Sequence, residues 1–272
     1  MIRLAVRVAR ADAEAVLAEL LELAPGGLEE REMGEDAVEY VLYGAPGEVP
    51  DIGSVRAAAG GALVAISTSE IPDDWSERWK AFHKPVDVAW RFRRLRVRPP
   101  WEPPLEAGGI DLVIDPGQAF GTGAHHTTRL CLELLLELEP AGALADWGCG
   151  TGVLAIAAAR LGWAPVLACD WEAASVAAAR ENAALNGAPA VEVTRTDLRR
   201  EQGPWAPTVL ANLVLPLLLE VAGAMTRPPE RMILSGLLRD EASAVAAAFA
   251  AHGLREVERR HGGEWSALLL AG

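Results

Sequence analysis

Residues 2–8, Ile-Arg-Leu-Ala-Val-Arg-Val, alternate in the period-two pattern of a strand with one buried face. Asp12 opens a helical run through Ala13 to Leu21, which Pro25-Gly26-Gly27 stops. Short strands at 27–32 and 38–43 flank a turn through Gly34-Glu35-Asp36. Asp51 then starts a short helix near 55–59, and 62–67 reads as a last strand. The order β-α-β-β-α-β predicts a small α+β, ferredoxin-like domain over residues 1–68. Further along, apolar runs alternate with helical stretches. Strands are expected at 110–115, 143–145, 164–170, 191–193, 207–211 and 231–235, with helices at 129–138, 153–160, 172–185, 213–225 and 240–252. Segments 254–258 and 264–270 read as a closing antiparallel hairpin. That alternation predicts an α/β, Rossmann-like seven-stranded domain over 105–272. Residues 69–104 form the expected linker, with a bridging helix over 74–82.

Composition narrows the class. The 272 residues have room for two domains, and 51% apolar content is enough for real cores and argues against disorder. No apolar run reaches membrane-spanning length, and the first residues lack a signal-peptide pattern. Three cysteines (131, 149 and 169) without metal-ligand spacing point to a reducing compartment, and Cys149 reads as a small packed side chain. A cytoplasmic monomer with no membrane partner is expected. The net charge of −13 opposes direct nucleic-acid binding and suits a basic partner. The linker does interleave Trp75, Trp79, Trp90 and Trp101 with Lys80, His83, Lys84 and Arg91, Arg93, Arg94, Arg96 and Arg98. Its arginines at 91, 93, 96 and 98 alternate as the solvated face of a strand would.

The chemistry concentrates around Ala145-Asp146-Trp147-Gly148-Cys149-Gly150-Thr151-Gly152, a strand, a glycine turn and a helix start. Glycines at 148, 150 and 152 permit a tight turn and a close backbone approach to a ligand. The spacing G-x-G-x-G differs from the pyrophosphate-cradling G-x-G-x-x-G, and Asp146 ahead of it suits a cationic ligand such as S-adenosyl-L-methionine (AdoMet). Asp170 ends the next strand about 20 residues on, where an acid bonds ribose hydroxyls or caps the following helix. Thr196-Asp197 follows the third strand, where an adenine amino group could be met, and Asn212 ends the fourth, beside the cofactor. The loop from Pro116 to Thr128 is dense in Gly, Phe, His and Thr, a composition that favours function. His125-His126 gives no metal site, because adjacent rings rarely share one ion.

These motifs resemble one family. Asp115-Pro116-Gly117-Gln118-Ala119-Phe120-Gly121-Thr122-Gly123, with His125 and Thr127-Thr128, is similar to the loop of ribosomal protein methyltransferases acting on large-subunit protein eleven. The glycine turn through Ala158, Asn182 with Asn186-Gly187, Ala211-Asn212-Leu213 and Leu234-Ser235-Gly236 also match. The resemblance covers about residues 70–270 and implies a class I methyltransferase domain using AdoMet. It implies cofactor contacts at Thr128, Gly148, Asp170 and Asn212, closure of the loop from Phe120 to Thr128 over AdoMet, and docking of a ribosomal protein substrate by the N-terminal domain; Gly150 of the glycine turn and Asp197 complete the candidate cofactor-binding set. Asn212 is the expected orienting group for an amine nitrogen, lysine or N-terminal, and His125 a candidate proton acceptor. Departures fall at Ala124, His126, Trp147 and Trp171, the last two replacing aliphatic residues. The alternatives are the same chemistry on another protein, such as electron-transfer flavoprotein, or a non-catalytic AdoMet-binding module.

Overall fold

The computed structural model describes residues 2–23, 28–34, 36–44, 49–70, 84–105, 108–115, 123 and 125–272, leaving aside the side chains of 14, 15, 18, 21, 22 and 32. The bridging helix expected over 74–82 lies outside the described residues. The chain divides into two compact units, Met1–Phe82 and His83–Gly272.

In the first unit β1 (Ile2–Ala9), α1 (Ala13–Leu23), β2 (Glu29–Glu32), β3 (Ala37–Gly44), α2 (Ile52–Ala59) and β4 (Leu63–Glu70) follow the expected order. The strands form an antiparallel sheet in the order β2-β3-β1-β4. Alternation explains its core: Leu4, Val6 and Val8 of β1 join Val38, Tyr40 and Leu42 of β3, with Val16 and Leu20 of α1 and Val55 of α2. Asp51 caps α2 as its sequence position suggested, accepting the Ser54 N–H at 3.0 Å. On the sheet, Glu39 pairs with Arg3 at 2.8 Å and Arg7 at 3.2 Å.

The second unit begins with β5 (Val86–Trp90) and β6 (Arg93–Arg98), which form a three-stranded sheet with β7 (Ile110–Val113). Residues 86–98 of the expected linker are therefore paired strands, and their Val88, Leu95 and Val97 enter the main core. Three of the arginines, 93, 96 and 98 on β6, are held by partners. Arg96 meets Asp87 at 2.8 Å, Arg98 meets Asp111 at 2.9 Å, and Arg93 donates to the carbonyls of Leu136 and Leu138. A cation there suits the end of the next helix, α3 (His126–Glu137).

The larger sheet comprises β8 (Leu144–Trp147), β9 (Val166–Asp170), β10 (Val191–Arg195), β11 (Thr208–Asn212), β12 (Arg231–Leu238), β13 (Arg255–Gly262) and β14 (Trp265–Ala271). Their order is β10-β9-β8-β11-β12-β14-β13, with β8 to β12 parallel and β14 antiparallel to its neighbours. The helices α3, α4 (Val153–Leu161) and α5 (Ala173–Leu185) contribute to the core on one face. On the other face lie α6 (Leu215–Ala224) and α7 (Ala242–Ala250). Because both faces are covered, the inner strands read as apolar runs. Within each strand the period of two still assigns faces: Leu144 packs toward α4, Ala145 and Trp147 toward α6. No described helix is long and apolar enough to cross a membrane.

Candidate active site

The glycine turn lies between β8 and α4. Gly148, Gly150 and Gly152 have φ of 73°, 53° and 81°, left-handed values that penalise any side chain. The N–H groups of Gly148 and Cys149 donate to the Cys169 carbonyl at 2.8 and 3.0 Å, tying the turn to the end of β9. A Cβ on Gly148 would stand 2.3 Å from Leu213 Cδ2, so glycine here lets the Leu213 side chain lie against the turn.

The two acids flanking the turn have different roles. Asp146 points into the α4 face, almost wholly buried, and accepts the Ala155 N–H at 3.0 Å. It supplies the cap that Gly152 at the helix N-terminus lacks. The expectation that Asp146 meets a cationic ligand is corrected: strand alternation turns it under the helix. Burial, with the nearby Asp170 charge, pushes its carboxyl up to about 7 against the pull of the Ala155 N–H. Asp170 instead reaches the turn itself. Its Oδ2 accepts the Gly150 N–H and its Oδ1 the Glu172 N–H, both at 3.0 Å. Each carboxylate oxygen carries a further lone pair, so a ribose diol can be accepted as well.

Gly148, Asp170 and Asp197 come together with Trp171, Leu198, Leu213 and Leu217 around one narrow cleft of about 30 Å³ at the carboxyl ends of β8, β9 and β10. Ligands bind at that edge of a parallel sheet. Asp197 is partly committed to its own turn: Oδ1 accepts the Arg199 N–H at 3.1 Å, and Oδ2 lies 3.5 Å from Arg200. Gly150 joins this group through Asp170. Asn212 and Thr128 form a second group. Asn212 ends β11, and its Nδ2 lies 3.5 Å from Thr128 Oγ1 on α3. His125 sits apart from the cleft lining, at the N-terminus of α3. Its Nδ1 is 2.7 Å from Thr127 Oγ1 and accepts the Thr127 N–H at 3.3 Å, and its ring meets Trp265 edge-on at 4.8 Å. Burial first, then the His126 charge, lowers its basicity, which suits a neutral cap. Phe120 lies outside the described residues.

Positioning groups beyond those anticipated complete the site. Asn182 and Asn186, one turn apart on α5, grip the end of β7. Asn182 accepts the Asp115 N–H at 2.9 Å and donates to the Thr151 carbonyl at 3.0 Å, joining that strand end to the glycine turn. Asn186 accepts the Val113 N–H at 2.8 Å and donates to its carbonyl at 2.6 Å. The spacing of four residues was the available signal. Gly236, with φ 83°, breaks the β12–β14 register, and a Cβ there would lie 2.3 Å from the Leu213 carbonyl. It thereby permits the course of the chain just after Asn212. All three cysteines are buried thiols, with burial pushing Cys169 up to about 12, so they are not poised as thiolates.

A family described as ribosomal protein L11 methyltransferase (PrmA) matches residues 55–271. The chain belongs to that family. A relative of that name from Geobacter metallireducens is 41% identical over 201 residues, spanning 72% of this chain and 66% of its own length. One from Pelotomaculum thermopropionicum is 40% identical over 216 residues, 76% and 69% of the two lengths. The chain thus spans about two thirds of the length of the curated relatives it matches. A crystal structure titled as ribosomal protein L11 methylase from Lactobacillus delbrueckii subsp. bulgaricus superposes with a TM-score of 0.59 at 29% identity, over 68% of this chain and 97% of the other. Membership identifies the seven-stranded α/β unit as a methyltransferase fold.

Proposed function

We propose that this chain is an AdoMet-dependent protein N-methyltransferase that methylates amines, lysine side chains or an N-terminal α-amine, of ribosomal protein L11. Family membership supports the substrate. The observation that carries the cofactor is the convergence of Gly148, Asp170 and Asp197 on one cleft at the strand ends. The chemistry of this set fits AdoMet: a glycine where a side chain would clash, a carboxylate with lone pairs left for a ribose, and an acid for the adenine amino group. Trp171, 59% exposed on the cleft wall, offers an aromatic face beside the base. When bound, AdoMet supplies a methyl group on a sulfonium. In this reading Gly148, Gly150, Asp170, Asp197, Thr128, Asn212 and Phe120 hold it, the last from the family motif alone.

Asn212 orients the amine by accepting one N–H on Oδ1, while Thr128 holds the Nδ2 side of the amide. The nucleophile must be neutral. An α-amine with a pKa of about 7.7–8.0 is far more available near pH 7 than a lysine of about 10.4. A lysine must lose its proton on entering a desolvated site, and positioning of nitrogen and methyl supplies much of the rate, roughly 7–11 kcal/mol. The proton-acceptor role weighed for His125 competes with its cap on α3, and we assign it the cap. We read the four-stranded antiparallel unit, its first 68 residues in particular, as a ferredoxin-like substrate-recognition domain, residues 69–104 as the connection, and 105–272 as a Rossmann-like class I domain. The charge of −13 favours a basic ribosomal protein as its partner. We take the enzyme to act as a cytoplasmic monomer.

Mass spectrometry of L11 after incubation with this chain and AdoMet tests the reading. Steps of one or more methyl masses are expected; an unmodified L11 with AdoMet demonstrably bound overturns the substrate. Asn212→Ala should lower kcat at least about a hundredfold while AdoMet affinity stays within about tenfold.

A further inference from the structure

On the far side of Leu198 from the cofactor cleft lies a second, larger hollow of about 220 Å³, lined by Trp147, Gln202, Trp205, Val221, Ala224 and Arg227 among others. Its walls are fixed before any ligand arrives. Trp147 is held by its Nε1–H on the Pro204 carbonyl at 3.0 Å, and Gly203 lies so close to the indole that a Cβ would stand 2.4 Å from its nitrogen. Gln202 donates to the Ala224 carbonyl at 3.2 Å and pairs with the Thr226 hydroxyl at 2.8 Å. The Arg227 guanidinium stacks on Trp205, 3.4 Å from the ring centroid. The Trp147 indole N–H and the Gln202 amide are therefore already bonded within the protein. The rim carries one exposed charge of each sign, Glu201 and Arg227.

We propose that this hollow is a binding site for a flat, neutral aromatic ligand of one or two fused rings. The size fits, since an apolar cavity of about 150 Å³ takes benzene and drug-sized ligands need about 300 Å³ or more. The chemistry fits because Trp147 and Trp205 both contribute indole surface, one face of Trp205 being taken by Arg227, while opposed rim charges leave no net preference for an ion. Leu198 lines both this hollow and the cofactor cleft, and Trp147 immediately precedes Gly148. A ligand here presses on the wall of the cleft and changes cofactor affinity; this coupling rests on the cofactor reading above.

Titration of the full chain with 5-fluoroindole, followed by fluorine NMR, tests the site directly. Saturable binding with a Kd on the order of a millimolar or tighter is expected. Ala224→Trp, which fills the hollow, and Trp205→Leu, which removes a wall and the arginine stack, should each weaken it at least about tenfold. No saturable binding, or binding that survives both substitutions, overturns the site. The coupling is read separately, as at least about a threefold change in S-adenosylhomocysteine affinity at saturating 5-fluoroindole. An unchanged affinity overturns the coupling alone. Absence of any S-adenosylhomocysteine binding counts against the cofactor reading and leaves the indole titration interpretable.

Discussion

The two hollows that share Leu198 are built on opposite physical terms. The cofactor cleft is narrow, about 30 Å³, and combines a glycine backbone with the carboxylates of Asp170 and Asp197. The neighbouring hollow is about 220 Å³, with aromatic walls in which the Trp147 N–H and the Gln202 amide are already paired. On the two proposals, one would recognise its ligand by polar groups that keep bonding capacity, the other by shape. If the proposed cofactor cleft is the reaction centre, size alone would misidentify it. The larger hollow lies on the α6 side of the sheet, whereas the strand-end acids and the glycine turn face the smaller one. Leu213 and Trp171 line that cleft, and entry of a cofactor requires side chains such as these to move aside.

Substitutions in the cleft should separate the two regions. The largest effect is expected of Gly148→Val, which meets both a φ of 73° and Leu213 Cδ2 at 2.3 Å. S-adenosylhomocysteine affinity measured by calorimetry should fall by more than about a thousandfold, with fluoroindole binding retained. Loss of both together breaks the comparison, since it makes the two hollows one site. Asp170→Asn should weaken the same ligand by about ten- to a hundredfold, because an amide faces one of the two backbone N–H groups and accepts fewer ribose bonds. An affinity within threefold of wild type removes Asp170 from the ribose role.

Asp146→Asn should change cofactor affinity least and sharpen the contrast between the paired acids. Burial holds the Asp146 carboxyl at about 7, so the folded state keeps a proton that the unfolded chain releases near 4. The folded state is fully favoured by this group below about pH 4, and the advantage is lost as pH rises to about 7. Asparagine cannot ionise. Urea denaturation should therefore show the variant gaining about 4 kcal/mol relative to wild type between pH 4 and pH 8. A constant difference across that range means that Asp146 ionises as an ordinary surface acid.

Much of this was legible locally. The glycine turn, Asp170 at the next strand end and Asn212 at the end of β11 follow from the alternation of apolar runs with helices, since sheet order brings those strand ends together. The face of Asp146 was a matter of period two along β8, overlooked because its place before the glycines suggested a ligand contact. The arginines of β6 read as a solvated face; their pairing with Asp87, Asp111 and the end of α3 depends on residues up to 45 positions away.

By itself the sequence determined most of the segments that become strand or helix, where the chain turns on glycine, and which family the chain resembles, because periodicity and φ preferences act over a few residues. Only the tertiary structure decided that β5 to β7 form their own sheet, and that Asn182 and Asn186 pin β7 to the glycine turn. It alone decided that Gly236 leaves room for Leu213 and that Trp147 walls a second hollow. Each of these depends on packing between segments distant in the chain, where the burial of one side chain is fixed by the shape of another.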